Sequence, residues 1–397
     1  MRLLLNLGLL FVLLPDAFVF AQIPRDVDFR ETLSEMAAFS ADDLSALDQG
    51  KIVVRSLVTK DDREIGVIGV VRVQTSPGIT LSEFTDGLTQ KSNKSLLATG
   101  RFGGPPTLED LRNLSLDKND VGNLQKCSTG DCKLRLSDDL IERLRTQVDW
   151  NSAQSGTQAN QLFQQDILEF VVDYLKRGDQ ALAHFDNDKN ESPLADQHRT
   201  LQDETPILDW LAPDLAKYLG SFPRVDLKNV QTSLDWSKLT FGLKPFVTVT
   251  HASSYSRLSE QGPIFIIAVK QIYASRYFDS SLTLSMLVRT AVNGSVNEYL
   301  VFTNISRSDA LGGVLSGLKR TMAATEAKDR AKDLLERAKT RLEADPDPVP
   351  PAPKQGIGAS LINIRNQLDG NGILIAAIIL AIAALTIYFI GRSRSGT

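Results

Sequence analysis

The 397-residue chain reads as an α+β protein. The expectation is an antiparallel sheet with a long C-terminal helix, a large helical insertion and one C-terminal transmembrane helix. Three observations lead there. β-rich runs occupy both sides of the body, at 51–74 and 244–305. Helix-period patterns fill the stretch between them, about 91–235. An uncharged apolar run, Gly372 to Ile390, lies near the C-terminus.

The ends set the compartment. "MRLLLNLGLLFVLLPDAFVFAQIP" has a basic Arg2, a leucine-rich run and small residues at Val19 and Ala21, the pattern of a secretory signal peptide over 1–21. The run Gly372 to Ile390, within an expected membrane helix at 372–391, spans about 28 Å at 1.5 Å per residue, close to the hydrocarbon core of a bilayer. Arg392 and Arg394 follow it, which places the tail 392–397 in the cytoplasm by the positive-inside rule. Five prolines between Pro346 and Pro353 make 346–371 an extended spacer. The expected layout is a body at 22–345, in the periplasm or extracellular space, tethered to the cell membrane by a single pass.

Within the body, "ADDLSALDQG" from Ala41 reads as a short capped helix. "KIVVRSLVTKDDREIGVIGVVRVQ" reads as a hairpin around "KDDR". "TSPGITLSEFTDGL" opens a helix with Thr80 as N-cap and Glu83 at the capping-box position. The middle offers four helical patterns: "TLEDLRNLSL", "SDDLIERLRTQVDW", "NQLFQQDILEFVVDYLKRG" and "APDLAKYLGSF". After Trp236, four strands follow as an antiparallel meander, with turns at "EQGP" and "NGS". Last comes a long helix that Ser308 and Asp309 can cap, with Leu311, Leu315, Leu318, Met322, Ala331, Leu334, Ala338 and Leu342 as its apolar stripe. Gly312, Gly313 and Gly317 are costly in a helix, so a close contact with the sheet is expected to require them.

Cys127 and Cys132 are the two cysteines. Outside the cytosol a nearby pair forms a disulfide, and four intervening residues do not match a redox motif. Only three histidines are present, none in a close-spaced pair, so no metal site is expected. A net charge of −4 argues against nucleic acid. No signature of a serine hydrolase, zinc protease or nucleotide-binding loop is found, so no catalytic residue or cofactor is assigned. His251 shares strand parity with Val247, Val249 and Tyr255, and reads first as a satisfied core residue. Arg276, Tyr277 and Asp279 cluster in "ASRYFDSS", either as a structural ion pair or as a pair that orients a ligand headgroup.

Two stretches, "GKIVVRSLVTKDDREIGVIGVVRVQTSPGITLSEFTD" and "KQIYASRYFDSSLTLSMLV" through "LGGVLSGLKR", resemble the START-like (helix-grip) superfamily. The order of hairpin, helix, insertion, meander and long final helix is similar too, and the chain also resembles exported, membrane-anchored uncharacterised bacterial proteins. The resemblance implies a curved sheet gripping the last helix, with a cavity between them for a lipid or other hydrophobic ligand. On that implication the ligand-binding residues are His251, Tyr255, Phe265, Ile267, Val269, Arg276, Leu284, Met286, Gly313 and Gly317. The competing expectation is a filled core, with the insertion docking a protein partner in the envelope. A cyclase- or hydrolase-like enzyme using His251 is the third.

Overall fold

The computed structural model describes residues 28–88, 95–186, 192–240, 244–292, 294–313 and 316–344. The signal-like start, the proline-rich spacer, the apolar run at 372–391 and Leu315 lie outside them. Among the described residues, no helix is long and apolar enough to cross a membrane.

Eight strands make one antiparallel sheet: β1 (Val53–Leu57), β2 (Glu64–Val73), β3 (Leu96–Arg101), β4 (Val230–Leu239), β5 (Phe246–Ser259), β6 (Gly262–Ala274), β7 (Ser280–Val292) and β8 (Ser295–Arg307). Their order is β1-β2-β8-β7-β6-β5-β4-β3. The N-terminal hairpin therefore joins the meander through its last strand. Ten α-helices are described: α1 (Phe29–Ala37), α2 (Ala41–Asp48), α3 (Leu81–Leu88), α4 (Lys118–Leu124), α5 (Asp138–Gln147), α6 (Ser155–Arg177), α7 (Leu194–Asp203), α8 (Pro206–Leu211), α9 (Pro213–Ser221) and α10 (Ser316–Leu342).

Local chemistry explains several boundaries. Ser40 and Asp43 form a reciprocal capping box at the start of α2. At α3 the Thr80 amide donates to Glu83 Oε2 at 2.7 Å, and the Glu83 amide donates to Thr80 Oγ1 at 3.2 Å. "TLEDLRNLSL" forms only a 3₁₀ turn, Leu108–Leu111, where a helix was expected. The Asp110 carbonyl accepts from Trp236 Nε1 at 2.8 Å, so the next turn of helix loses an acceptor to the sheet.

The stretch 91–235 is not helical throughout, since it contributes β3 and β4. Neither announces itself. β3 is a half-exposed edge strand, and β4 alternates buried Leu234 and Trp236 with buried polar Asp235 and Ser237. The insertion proper runs between these strands, over 102–229.

The sheet is covered on both faces. On one, Ile68, Val70, Ile266, Leu284, Met286 and Val301 pack with Phe29 of α1 and with Leu208 and Leu215 of α8 and α9. Farther along, Trp236, Val247, Val249 and Tyr273 pack with Phe163, Ile167 and Phe170 of α6. On the other face, Val67, Val71, Phe265, Ile267, Leu300 and Phe302 pack with α3 and α10.

Helix α10 meets the sheet through Ala323, Ala327, Ala331, Leu335, Ala338 and Leu342. The stripe expected at its start is turned outward: Leu318 is 59% exposed and Met322 38% exposed. Gly313 and Gly317 do not lie against the sheet either, because a Cβ on either would meet nothing within 4 Å. Gly313, at φ +75°, belongs to the break before α10. The close approach is made from the other side. A Cβ at Gly69 of β2 would come within 2.5 Å of Leu335 Cδ1, and one at Gly87 of α3 within 2.5 Å of Leu342 Cδ2.

Candidate functional site

The residues expected to line one cavity fall on two faces. His251, Tyr255, Leu284 and Met286 face the insertion, whereas Phe265, Ile267 and Val269 face α10. Alternation within each strand is as expected, but the pairing between strands is what sorts the faces. Met286 pairs with Ile266 and Leu287 with Phe265, so Met286 and Phe265 point opposite ways. All seven are buried among packed neighbours. Gly313 and Gly317 are exposed.

The insertion meets the sheet across a polar seam. Tyr174 OH of α6 and His251 Nδ1 of β5 share a hydrogen bond at 3.1 Å. The rings of Phe222 and Tyr174 lie 4.4 and 5.7 Å from the imidazole. Burial, and then the charge of Lys270, push His251 down to about 3, so it is neutral at physiological pH. His198 of α7 is held well below the usual histidine range by the same two causes, against a hydrogen bond to the Gln271 backbone. Lys270 of β6 donates to both oxygens of Asp179, at 2.5 and 2.7 Å, and burial lowers its pKa. The imidazole is buried and its hydrogen-bond partner is a phenol. The seam holds the two layers together.

The accessible chemistry lies at the far end of β6. There a cleft of about 310 Å³ is bordered by Cys132, Lys133, Arg135, Asp186, Arg276 and Tyr277, with Leu134, Ile141, Phe185 and Leu194 as its apolar wall. The disulfide Cys127–Cys132 forms its rim, closing a turn in which Ser128 and Asp131 pair. Gly130, at φ +76°, permits that turn. The Arg135 amide donates to the Ser275 carbonyl at 2.8 Å, which stitches the rim to the end of the sheet.

Arg276 and Asp279 do not pair with each other. Arg276 pairs with Asp120 of α4, and Asp279 with Arg135. Both partners come from the insertion, whose position the sequence does not disclose. The Arg276 side chain is only 8% exposed, and its Nε is buried with no hydrogen-bond partner. Tyr277 stands at φ +73°, a conformation costing roughly 1–3 kcal/mol for a non-glycine residue. Burial raises the pKa of Asp186, which also lines the cleft. With three cations and one carboxylate on its border, the cleft is suited to hold an oxyanion while the leucines contact an apolar portion.

Lys270 had a readable signal, since it shares parity with Ile264, Ile266 and Ala268 in an apolar strand. Its partner Asp179 had none. Among the described residues, no group of three or more His, Cys, Asp or Glu is placed to hold a metal ion. No family model matches the chain, and no curated protein matches it significantly.

Proposed function

We propose that the chain is a membrane-tethered periplasmic or extracellular binding domain of helix-grip type. It carries or senses a small anionic amphiphile, held in the cleft beside the disulfide. The observation that carries the reading is a half-apolar cleft bordered by three cations, Lys133, Arg135 and Arg276, against one carboxylate, Asp186. A volume of about 310 Å³ suits a short-chain acid better than a whole phospholipid. The packing of α10 on one sheet face supports the helix-grip reading. The signal-like start and the apolar run at 372–391 support export and tethering by a C-terminal membrane helix, with the tail in the cytoplasm.

Native mass spectrometry of the full-length protein, purified from its own membranes, tests this. The expected result is a retained acid of a few hundred daltons that Arg276→Gln loses. No retained mass, together with no binding of added decanoate by the wild type, refutes it. The packed sheet faces favour a second reading, an envelope interaction module without a small ligand. Crosslinking in intact cells that traps one protein on α4–α6, in a chain that binds no acid, selects that reading.

A further inference from the structure

A second, larger cleft of about 540 Å³ opens at the other end of the sheet. We infer that it binds an oxyanion, a carboxylate or phosphate group, on a guanidinium fixed in its wall. The guanidinium is that of Arg289, near the end of β7, whose side chain is 10% exposed. Its Nε donates to Glu298 Oε1 at 2.6 Å, and its Nη1 donates to the Pro263 carbonyl at 2.7 Å. Its plane lies against the Phe265 ring, with 5.8 Å between the guanidinium carbon and the ring centre. Nη2 is left over. It has no hydrogen-bond partner in the described protein and is not among the sealed polar atoms, so it remains available to the cleft.

Everything around Arg289 serves to hold it still. The second oxygen of Glu298 accepts from the Thr75 amide at 2.9 Å and the Thr75 hydroxyl at 2.7 Å. Glu298 is therefore committed to its neighbours. Gly262 turns the β5–β6 hairpin at φ +116°, and a Cβ there would approach Arg289 Cδ to 3.1 Å. That position has no side chain where the arginine stem must pass.

The charge of the cleft has a sign. Three charged residues line it, Arg72, Arg289 and Glu298, two of them cations. Arg72 makes no side-chain ion pair or hydrogen bond among the described residues. The amides of Gln74, Gln261 and Asn297 complete a rim that can hydrogen-bond the uncharged polar part of a ligand. A guanidinium pre-oriented by its neighbours loses little freedom on binding, which favours a planar or tetrahedral oxyanion. The 13 residues of β6 separate this cleft by about 40 Å from the one beside the disulfide, so the inference does not rest on the proposed function.

Calorimetric titration of the full-length protein in phosphatidylcholine nanodiscs tests it, with acetate in one arm and inorganic phosphate in the other. At least one anion should bind saturably in the millimolar range. Arg289→Gln should weaken that anion about tenfold or more, the loss expected for a charged hydrogen bond. Arg72→Gln, which removes a charge with no protein partner, should weaken it with the fold intact. If Arg289→Gln unfolds the domain by stranding Glu298, the double variant Arg289→Gln, Glu298→Gln serves in its place. Saturation by neither anion overturns the inference. So does binding that Arg72→Gln and the Arg289 variant leave unchanged.

Discussion

Replacing Gly178 by alanine should loosen the insertion from the sheet. Gly178 closes α6 at φ +59° and ψ −133°, a region that L-residues avoid. An added Cβ would lie 1.8 Å from the Phe222 carbonyl oxygen and 2.8 Å from its carbon. Ordinary contact is roughly 3.5 Å, so the backbone at Phe222 would have to retreat by more than about 1 Å. Phe222 stacks on Tyr174 at 5.4 Å and contacts His251 at 4.4 Å, so the retreat would open the polar seam. Backbone strain contributes roughly 1–3 kcal/mol and overpacking a further ~1–3 kcal/mol, giving a loss of about 2–6 kcal/mol. Gly313→Ala is the control. It shares the positive φ, at +75°, but an added Cβ there meets nothing within 4 Å. It should lose only the backbone part, roughly 1–2 kcal/mol. Urea unfolding followed by tryptophan fluorescence compares the two. Equal losses would refute the close approach of Phe222 to the end of α6.

Three further outcomes are expected. His251 is depressed from 6.5 to about 3, so its neutral form stabilises the fold fully above pH 6.5, and that contribution is lost as pH falls from there towards 3. Each pH unit in that window costs about 1.4 kcal/mol, so urea midpoints should drop between pH 7 and 4.5 more steeply in the wild type than in His251→Phe; parallel slopes would count against the assignment. Cys127 and Cys132 should resist alkylation in the unreduced, denatured protein, and reducing their short loop should cost about 2 kcal/mol; labelling of both thiols would exclude the bond. A reporter fused after Thr397 should be active only in the cytoplasm, and activity outside would invert the proposed topology.

Elements with strong local chemistry were legible in the sequence. The β1–β2 hairpin, the Thr80–Glu83 capping box, α6 and each strand and turn of the meander follow from patterns within about twenty residues. The short cysteine spacing was legible for the same reason. What escaped depends on distant partners. β4 reads as polar, and its Asp235 can be buried only because Arg101 of β3 pairs with it, a contact across the whole insertion. The second half of the α10 stripe, Ala331, Ala338 and Leu342, packs as expected, but its first turns were misassigned because the packing residues there are alanines, Ala323 and Ala327, while Leu318 and Met322 face outward. The site suffered most. Parity placed His251, Leu284 and Met286 correctly within their strands, but only the inter-strand register assigns Phe265 to the opposite face. The partners of Arg276 and Lys270 come from helices whose docking no local pattern encodes.

The position of β8 has a consequence for the order in which the molecule can be made. Glu64 and Arg307 stand side by side in the finished sheet, 243 residues apart in the chain. A growing chain that has completed β7 has an open edge there and a second open edge on β2, with nothing yet available to join them. Only the last strand closes both, and α10 follows immediately to cover the glycine in β2. The slow, long-range closure that such a topology imposes therefore waits until β8 has been made. A chain truncated before Ser295 would be left with two sticky borders, and aggregation is its expected fate.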